Sequence, residues 1–316
     1  MSGLHVSQTT FETAFEKAPA RITMALPFDA SIDALAMIGE FPASPRGRWA
    51  GLSVEDFNVN WRLNAAAAPL LLLGLAASAG AQTADELVAK NLAARGSAEQ
   101  LAAIHTIVSQ GELRFPGDFK LAYKQTQERL NGKPDDCAVR VEASLQGLTV
   151  IQAYDGANAW RVNPFEGRKD AERMGADEAR ELADQGSIDG ALLAAHAKGS
   201  QVDYLGREDI DGTDAYKLRV SQPDGTVYTY WLDPDALLEI KILERRTIRG
   251  AEKETETDLG DYERVGGVYF PFSITSGPKD APPSEKQVIT IAAANANVPV
   301  TPDIFAMPAA PAAPSK

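Results

Sequence analysis

Covalent chemistry calls for a nucleophile, an acid–base group or a bound metal, and few residues of this chain could supply one. Beyond residue 81 there are two histidines, His105 and His196, and the single cysteine, Cys137. Neither histidine has a second histidine or a carboxylate at metal-ligand spacing, so each reads as a structural or surface side chain. Cys137 reads as a buried or edge thiol, and a lone cysteine rules out an intramolecular disulfide. Asp209-Ile210-Asp211 and Asp233-Pro234-Asp235 carry oxygens that a hard cation could use. Each stands between strand-like runs, however, where Asp-Gly and Asp-Pro are ordinary turn chemistry. G-x-S-x-G, H-E-x-x-H, G-x-G-x-x-G and C-x-x-C are all absent. The expectation is a protein that is not an enzyme, with no catalytic residue, no metal and no cofactor.

What remains is a surface for binding. Leu121 and Tyr123, Val150 and Tyr154, and Tyr228 and Tyr230 fall on one parity of their segments, the mark of the buried face of a sheet. Such stripes fit a solid core or a lined cavity. The cavity is favoured because the helices are few for so large a sheet. Its expected wall comprises these six residues with Trp160 and Phe165, and its expected lid carries Leu192 and Leu193.

The elements that must position these residues follow from periodicity. Leu87, Val88 and Leu92 at helical spacing, with Asp85 and Glu86 in the first turn, predict a helix over 83–95 that Gly96-Ser97 stops. A short helix over 98–103 follows. The period then changes to two, with strands over 105–115, 120–130, 138–144 and 148–154, and a tight turn at 155–158 leads into 159–163. Residues 171–197, rich in Ala, Glu, Asp and Leu, read as two helices joined around Gly186-Ser187. Seven further strands follow from residue 203 to 293, separated by Asp211-Gly212, Asp224-Gly225, Asp233-Pro234, Gly250 and Gly266-Gly267. No internal repeat is present. About eleven strands with helices at the start and middle give a mainly β, α+β fold. The expected form is a curved antiparallel sheet making a half-open β-barrel, with helices covering its concave face. A closed up-and-down barrel is disfavoured by the helical insertion.

Composition bounds the partners. A net charge of −13 repels nucleic acid and anionic membrane surfaces, and 44% apolar residues are enough for a core. Arg62, an Ala/Leu run over 65–79 and Ala79-Gly80-Ala81 make a secretory signal peptide over 61–81, cleaved near Ala81. The run contains Pro69 and is shorter than the roughly 20 residues of a membrane span. No cysteine follows Ala81 to carry a lipid, so the expected product is periplasmic. Residues 1–60 lack sustained periodicity and read as a disordered extension from a start codon placed too far upstream, with Val59 the alternative start. One domain is expected over 82–306, and a disordered Ala/Pro tail over 307–316.

The ordered segments resemble the outer membrane lipoprotein-sorting family, relatives of the periplasmic lipoprotein carrier protein. The resemblance rests on Asn91-Leu92-Ala93-Ala94-Arg95-Gly96 and on the run from Asp155 through Trp160 to Asn163-Pro164-Phe165. Tyr230-Trp231-Leu232-Asp233-Pro234 with Leu238-Glu239-Ile240-Lys241, and the closing Phe305-Ala306-Met307-Pro308, complete it. It implies a monomeric carrier that holds acyl chains of a lipoprotein or other lipid between an inner-membrane release complex and an outer-membrane acceptor. It equally admits a sensor that binds lipid and regulates a membrane partner. Hiding one sixteen-carbon chain from water is worth ~13 kcal/mol at ~0.8 kcal/mol per methylene, so a chain crossing water needs such a shield. The family's lid-latching arginine has no clear match, with Arg161 and Arg140 the candidates, and the middle segment is longer and more charged than in the family.

Overall fold

A computed structural model describes residues 82–309, the side chain of Arg168 excepted. The expected extension over 1–60, the signal peptide over 61–81 and the tail from 310 lie outside the described residues.

Helix α1 (Ala84–Arg95) starts at a capping box, in which the Thr83 hydroxyl accepts from the Glu86 N–H and the Glu86 carboxylate accepts from the Thr83 N–H. Ser97 caps α2 (Ala98–Ala102) by accepting from the Gln100 N–H. A meander follows through β1 (Thr106–Phe115), β2 (Phe119–Arg129), β3 (Cys137–Leu145), β4 (Leu148–Tyr154), β5 (Ala159–Asn163) and β6 (Arg168–Arg173). Helices α3 (Ala176–Gly186) and α4 (Gly190–Leu193) interrupt it. It resumes with β7 (Gln201–Ile210), β8 (Thr213–Ser221), β9 (Val227–Leu232), β10 (Glu239–Ile248), β11 (Ala251–Val265), β12 (Val268–Pro278) and β13 (Gln287–Ala296).

All thirteen strands join one antiparallel sheet in the order β6-β5-β4-β3-β2-β1-β13-β12-β11-β10-β9-β8-β7. β1 and β13 pair at its middle, and β6 and β7 are its two free edges, so the sheet is open. Two-residue turns at Gln146-Gly147, Asp211-Gly212, Arg249-Gly250 and Gly266-Gly267 hold both residues at positive φ, the backbone twist that matches paired strands. A bulge at Gln110/Gly111 brings β1 so close to β13 that a Cβ at Gly111 would lie 2.0 Å from the Thr290 carbonyl oxygen.

The curl of the sheet is read from α3. Ala183 accepts from the Cys137 thiol of β3 at 3.1 Å, while the neighbouring Asp184 pairs with Arg246 of β10 at 2.8 Å. Those strands are six places apart in the order, roughly 29 Å along a flat sheet at ~4.8 Å per strand, so the sheet wraps round the helix. Three apolar clusters fill the helix-covered face. The first joins Leu182 of α3 to β1–β4 and β11–β13, the second joins Leu87 and Leu192 to β8 and β9, and the third joins Leu101 to Ile107, Ile188 and Val268.

The open curved sheet with helices across one face is the architecture expected from sequence. Three details differ. Residues 171–173 belong to strand β6 rather than to the first middle helix, because this edge strand, Arg-Lys-Asp-Ala-Glu-Arg, is charged at every position but Ala171 and shows no apolar alternation. β7 runs to Ile210 rather than ending at Leu205, for the same reason. Met307 and Pro308, assigned to the tail, lie against Lys124 and Arg140 on the outer face.

Candidate ligand-binding cavity

A cavity of about 270 Å³ lies between the sheet and the helical cover. Ile107, Val141, Val265, Phe272, Ile289 and Ile291 supply its apolar wall, and Tyr123 and Gln125 stand among them. Alternation along the strands puts these residues on one face, and the register sets them side by side. The roof is the junction of α3 and α4, where Gln185, Ser187 and Ile188 face inward.

Charge holds this roof down. Arg129, at the end of β2, is buried, and its guanidinium pairs with Asp189 between α3 and α4. It also donates to the carbonyls of Ile104 and Leu101, both at 3.1 Å, so each of its three nitrogens is engaged. Burial pushes the Asp189 carboxyl upward against the pull of Arg129. Arg161 of β5 lies 3.7 Å from Glu178 of α3, and Gln127 donates to the carbonyls of Gln185 and Gly186 at 3.2 and 3.3 Å.

A second network ties α3 to the far half of the sheet. Arg246 pairs with Asp184 and Glu244 and donates to the Tyr228 hydroxyl at 2.7 Å. Lys198 reaches Asp184 at 2.6 Å. Burial raises the Asp184 carboxyl, but Lys198 and Arg246 more than offset it and hold it below the usual range. Glu181, with only Lys253 at 3.5 Å, is pushed up to about 7 by burial. Burial likewise raises the Cys137 thiol to about 12.

Of the residues expected to form the site, Tyr123 lines the cavity. Leu121 and Val150 are buried in the cluster that continues its wall, with Tyr154 and Phe165 packed against it. Trp160 stands elsewhere. It alternates with Ala159 and Arg161, which face the helices, so it lies on the outer face, its indole N–H donating to the Phe305 carbonyl at 2.7 Å and its ring 5.7 Å from the Arg140 guanidinium carbon. Leu192, Tyr228 and Tyr230 pack together in the second cluster instead of lining the cavity, and Leu193 packs against the third. The roof positions facing the cavity include Gln185, Ser187 and Ile188, none of which sequence reasoning assigned to the site. It passed over Arg129 too, although parity with Tyr123 and Gln127 turns a charge at this position inward. Arg161 does clasp the cover, whereas Arg140 donates to Ile304 on the outer face.

Asp233 accepts from the N–H groups of Asp235 and Ala236, and Asp209 from that of Gly212, so both aspartates cap their own turns. Among the described residues no group of three or more His, Cys, Asp or Glu could hold a metal, and no helix is long and apolar enough to cross a membrane. A larger hollow of about 550 Å³ on the outer face is lined by Lys124, Arg140 and Glu142 together with Ile304, Met307 and Pro308.

The fold and cavity define an open antiparallel half-barrel with a helical cover. The chain shares its fold with a DUF1329 family protein from Desulfovibrio piger, at 14% identity and a TM-score of 0.50 over 72% of this chain and 98% of that one. A structure described as an outer membrane lipoprotein-sorting protein domain from Vibrio parahaemolyticus matches at 11% identity and a TM-score of 0.47, over 69% of this chain and 94% of that one. A LolA superfamily protein from Nitrosomonas europaea matches at 13% identity and a TM-score of 0.46, over 72% and 98%. No protein-family model and no curated protein matches the sequence. The likeness is therefore one of fold.

Proposed function

We propose that this protein is a periplasmic carrier that shields the acyl chains of a lipoprotein or lipid from water, without covalent chemistry. The observation that carries the reading is an apolar cavity roofed by a helix junction that a buried ion pair helps to hold in place. At about 270 Å³ the cavity falls just under the ~300–1,000 Å³ of sites for drug-sized ligands, so a whole acyl chain enters as the roof moves outward. Sliding a roof across an ion pair loses charge pairing that water partly replaces, whereas opening a dry apolar seam has no such compensation. Such a carrier needs two partners, a membrane complex that loads it and an acceptor that unloads it.

The test is extraction. The full chain is incubated with vesicles bearing a lipidated protein, the vesicles are pelleted, and the supernatant is assayed for a one-to-one complex. Recovery of the lipidated protein in that complex is the expected result. Lipid binding with no extraction, but with release of a membrane partner's soluble domain, would instead mark a sensor. No lipid bound in either assay rejects both.

A further inference from the structure

The rungs of the sheet sort the cavity wall by polarity. Along one rung stand Ala294 of β13, Ser109 of β1, Gln125 of β2, Val141 of β3 and Gln152 of β4, and all five line the cavity. Two residues along β1–β4, and three along β13 across the bulge, the rung becomes Ile291, Gly111, Tyr123, Ala143 and Val150. Beyond it come Ile274, Ile289, Leu113 and Leu121. One end of the cavity is thus hydrocarbon and the other carries amides. The Tyr123 hydroxyl donates to Gln125 Oε1 at 3.1 Å, which leaves Gln125 Nε2 to face the hollow. Gln127, a rung further from the hydrocarbon, is occupied by the roof carbonyls. The side-chain amides of Gln152 and Gln185 have no hydrogen bond among the described residues.

Charge at this end is already matched. Arg95 lines the cavity, but it lies 3.5 Å from Glu239, donates to the Tyr269 carbonyl at 3.3 Å and stacks on Phe270. A fatty-acid carboxylate entering here would lose hydration and meet no unpaired cation, which is costly. An ester or amide carbonyl needs no counter-ion and accepts from the waiting amide N–H groups.

We infer that the cavity recognises a neutral acyl ester or amide, its carbonyl head at the glutamine rung and its chain along Ile291, Ile289 and Ile274, in preference to the free fatty acid. The inference rests on the lipid-binding function proposed above and narrows its ligand to that chemistry. The test is displacement of a fluorescent acyl-amide probe from the full chain at pH 8 by monopalmitoylglycerol and by palmitate. Monopalmitoylglycerol should displace the probe at a concentration at least tenfold lower. Equal potency, or a preference for palmitate, overturns the inference and leaves lipid carriage standing, whereas failure of the probe and both competitors to bind overturns carriage as well. Gln125→Lys supplies an unpaired cation and should reverse the preference. A folded Gln125→Lys protein that still favours the ester rejects the glutamine rung. If that variant does not fold, Gln152→Leu decides, because it should bring the two potencies within threefold while circular dichroism keeps the native β signal.

Discussion

The two halves of the helix-covered face began with the same pattern and were finished differently. Over β8 and β9, Leu87 of α1 and Leu192 of α4 pack among Leu218, Val220, Tyr228 and Tyr230, and the space is filled. Over β1–β4 and β11–β13, α3 contributes Leu182 and Ala179 to the core but presents Gln185 in its last turn, and a hollow remains. Strand parity fixes which side chains point inward. Whether they meet hydrocarbon or empty space is decided by what the covering helix presents. Buried charge reaches both halves: Arg246 joins Asp184 of α3 to Tyr228 in the filled half, and Arg129 joins Asp189 at the roof of the hollow one.

That contrast can be broken most forcefully at the roof. Arg129→Met leaves Asp189 buried without its cation and should cost about 3–5 kcal/mol in urea unfolding. The double variant Arg129→Met/Asp189→Leu should regain most of that loss. A single variant as stable as the wild type would mean that packing, not charge, holds the roof.

At the seam between the halves, Glu181 links stability to pH. Its carboxyl, raised to about 7 in the fold from an ordinary 4.5, keeps a proton that the unfolded chain releases. Stability should therefore fall as pH rises from about 4.5 to about 7 and level off above. Glu181→Gln should remove that slope and gain on the order of 2 kcal/mol at pH 8, somewhat below the full shift at ~1.4 kcal/mol per unit because the contact with Lys253 loses its charge pairing. Unfolding curves across this range that stay parallel for both proteins would refute the assignment.

A matched pair of enlargements sharpens the contrast between filled and hollow. Ala195→Leu in the second cluster should overpack it and cost about 1–3 kcal/mol. Ala294→Leu, which projects into the cavity, should leave the melting temperature within error and weaken binding of an acyl probe at least tenfold, about 1.4 kcal/mol. Equal destabilisation by both would show that neither half has room to spare.

Much of this was legible in the sequence for reasons that are local. Asp85 and Glu86 in a first turn, Gly96-Ser97 at a helix end, and glycine at the second place of each tight turn mark their own elements, and alternation in β1–β4 marked the inner face. β6 escaped because an edge strand half in water needs no apolar side chain. The cavity wall was legible in part, at Tyr123 and the residues beside it, since parity groups neighbours. Trp160 was misplaced because an aromatic is equally at home on an outer face that a distant segment covers, and the contact with Phe305 spans 145 residues. Leu192 and Tyr228 were assigned to the hollow because no local pattern tells how completely two surfaces meet. Arg129 and the glutamine rung were missed because attention to apolar residues discounts the polar ones sharing their parity.

The setting of the tryptophans has a spectroscopic consequence. The two indoles among the described residues, Trp160 and Trp231, are buried and hydrogen-bonded, one to the Phe305 carbonyl and the other to Glu208 at 2.8 Å, and neither lines the cavity. Their emission should therefore sense the integrity of the sheet's outer face and stay nearly silent when the hollow fills. A binding assay read from native tryptophan fluorescence would return a false negative, while the same signal, followed through denaturation, reports unfolding with little interference from bound lipid.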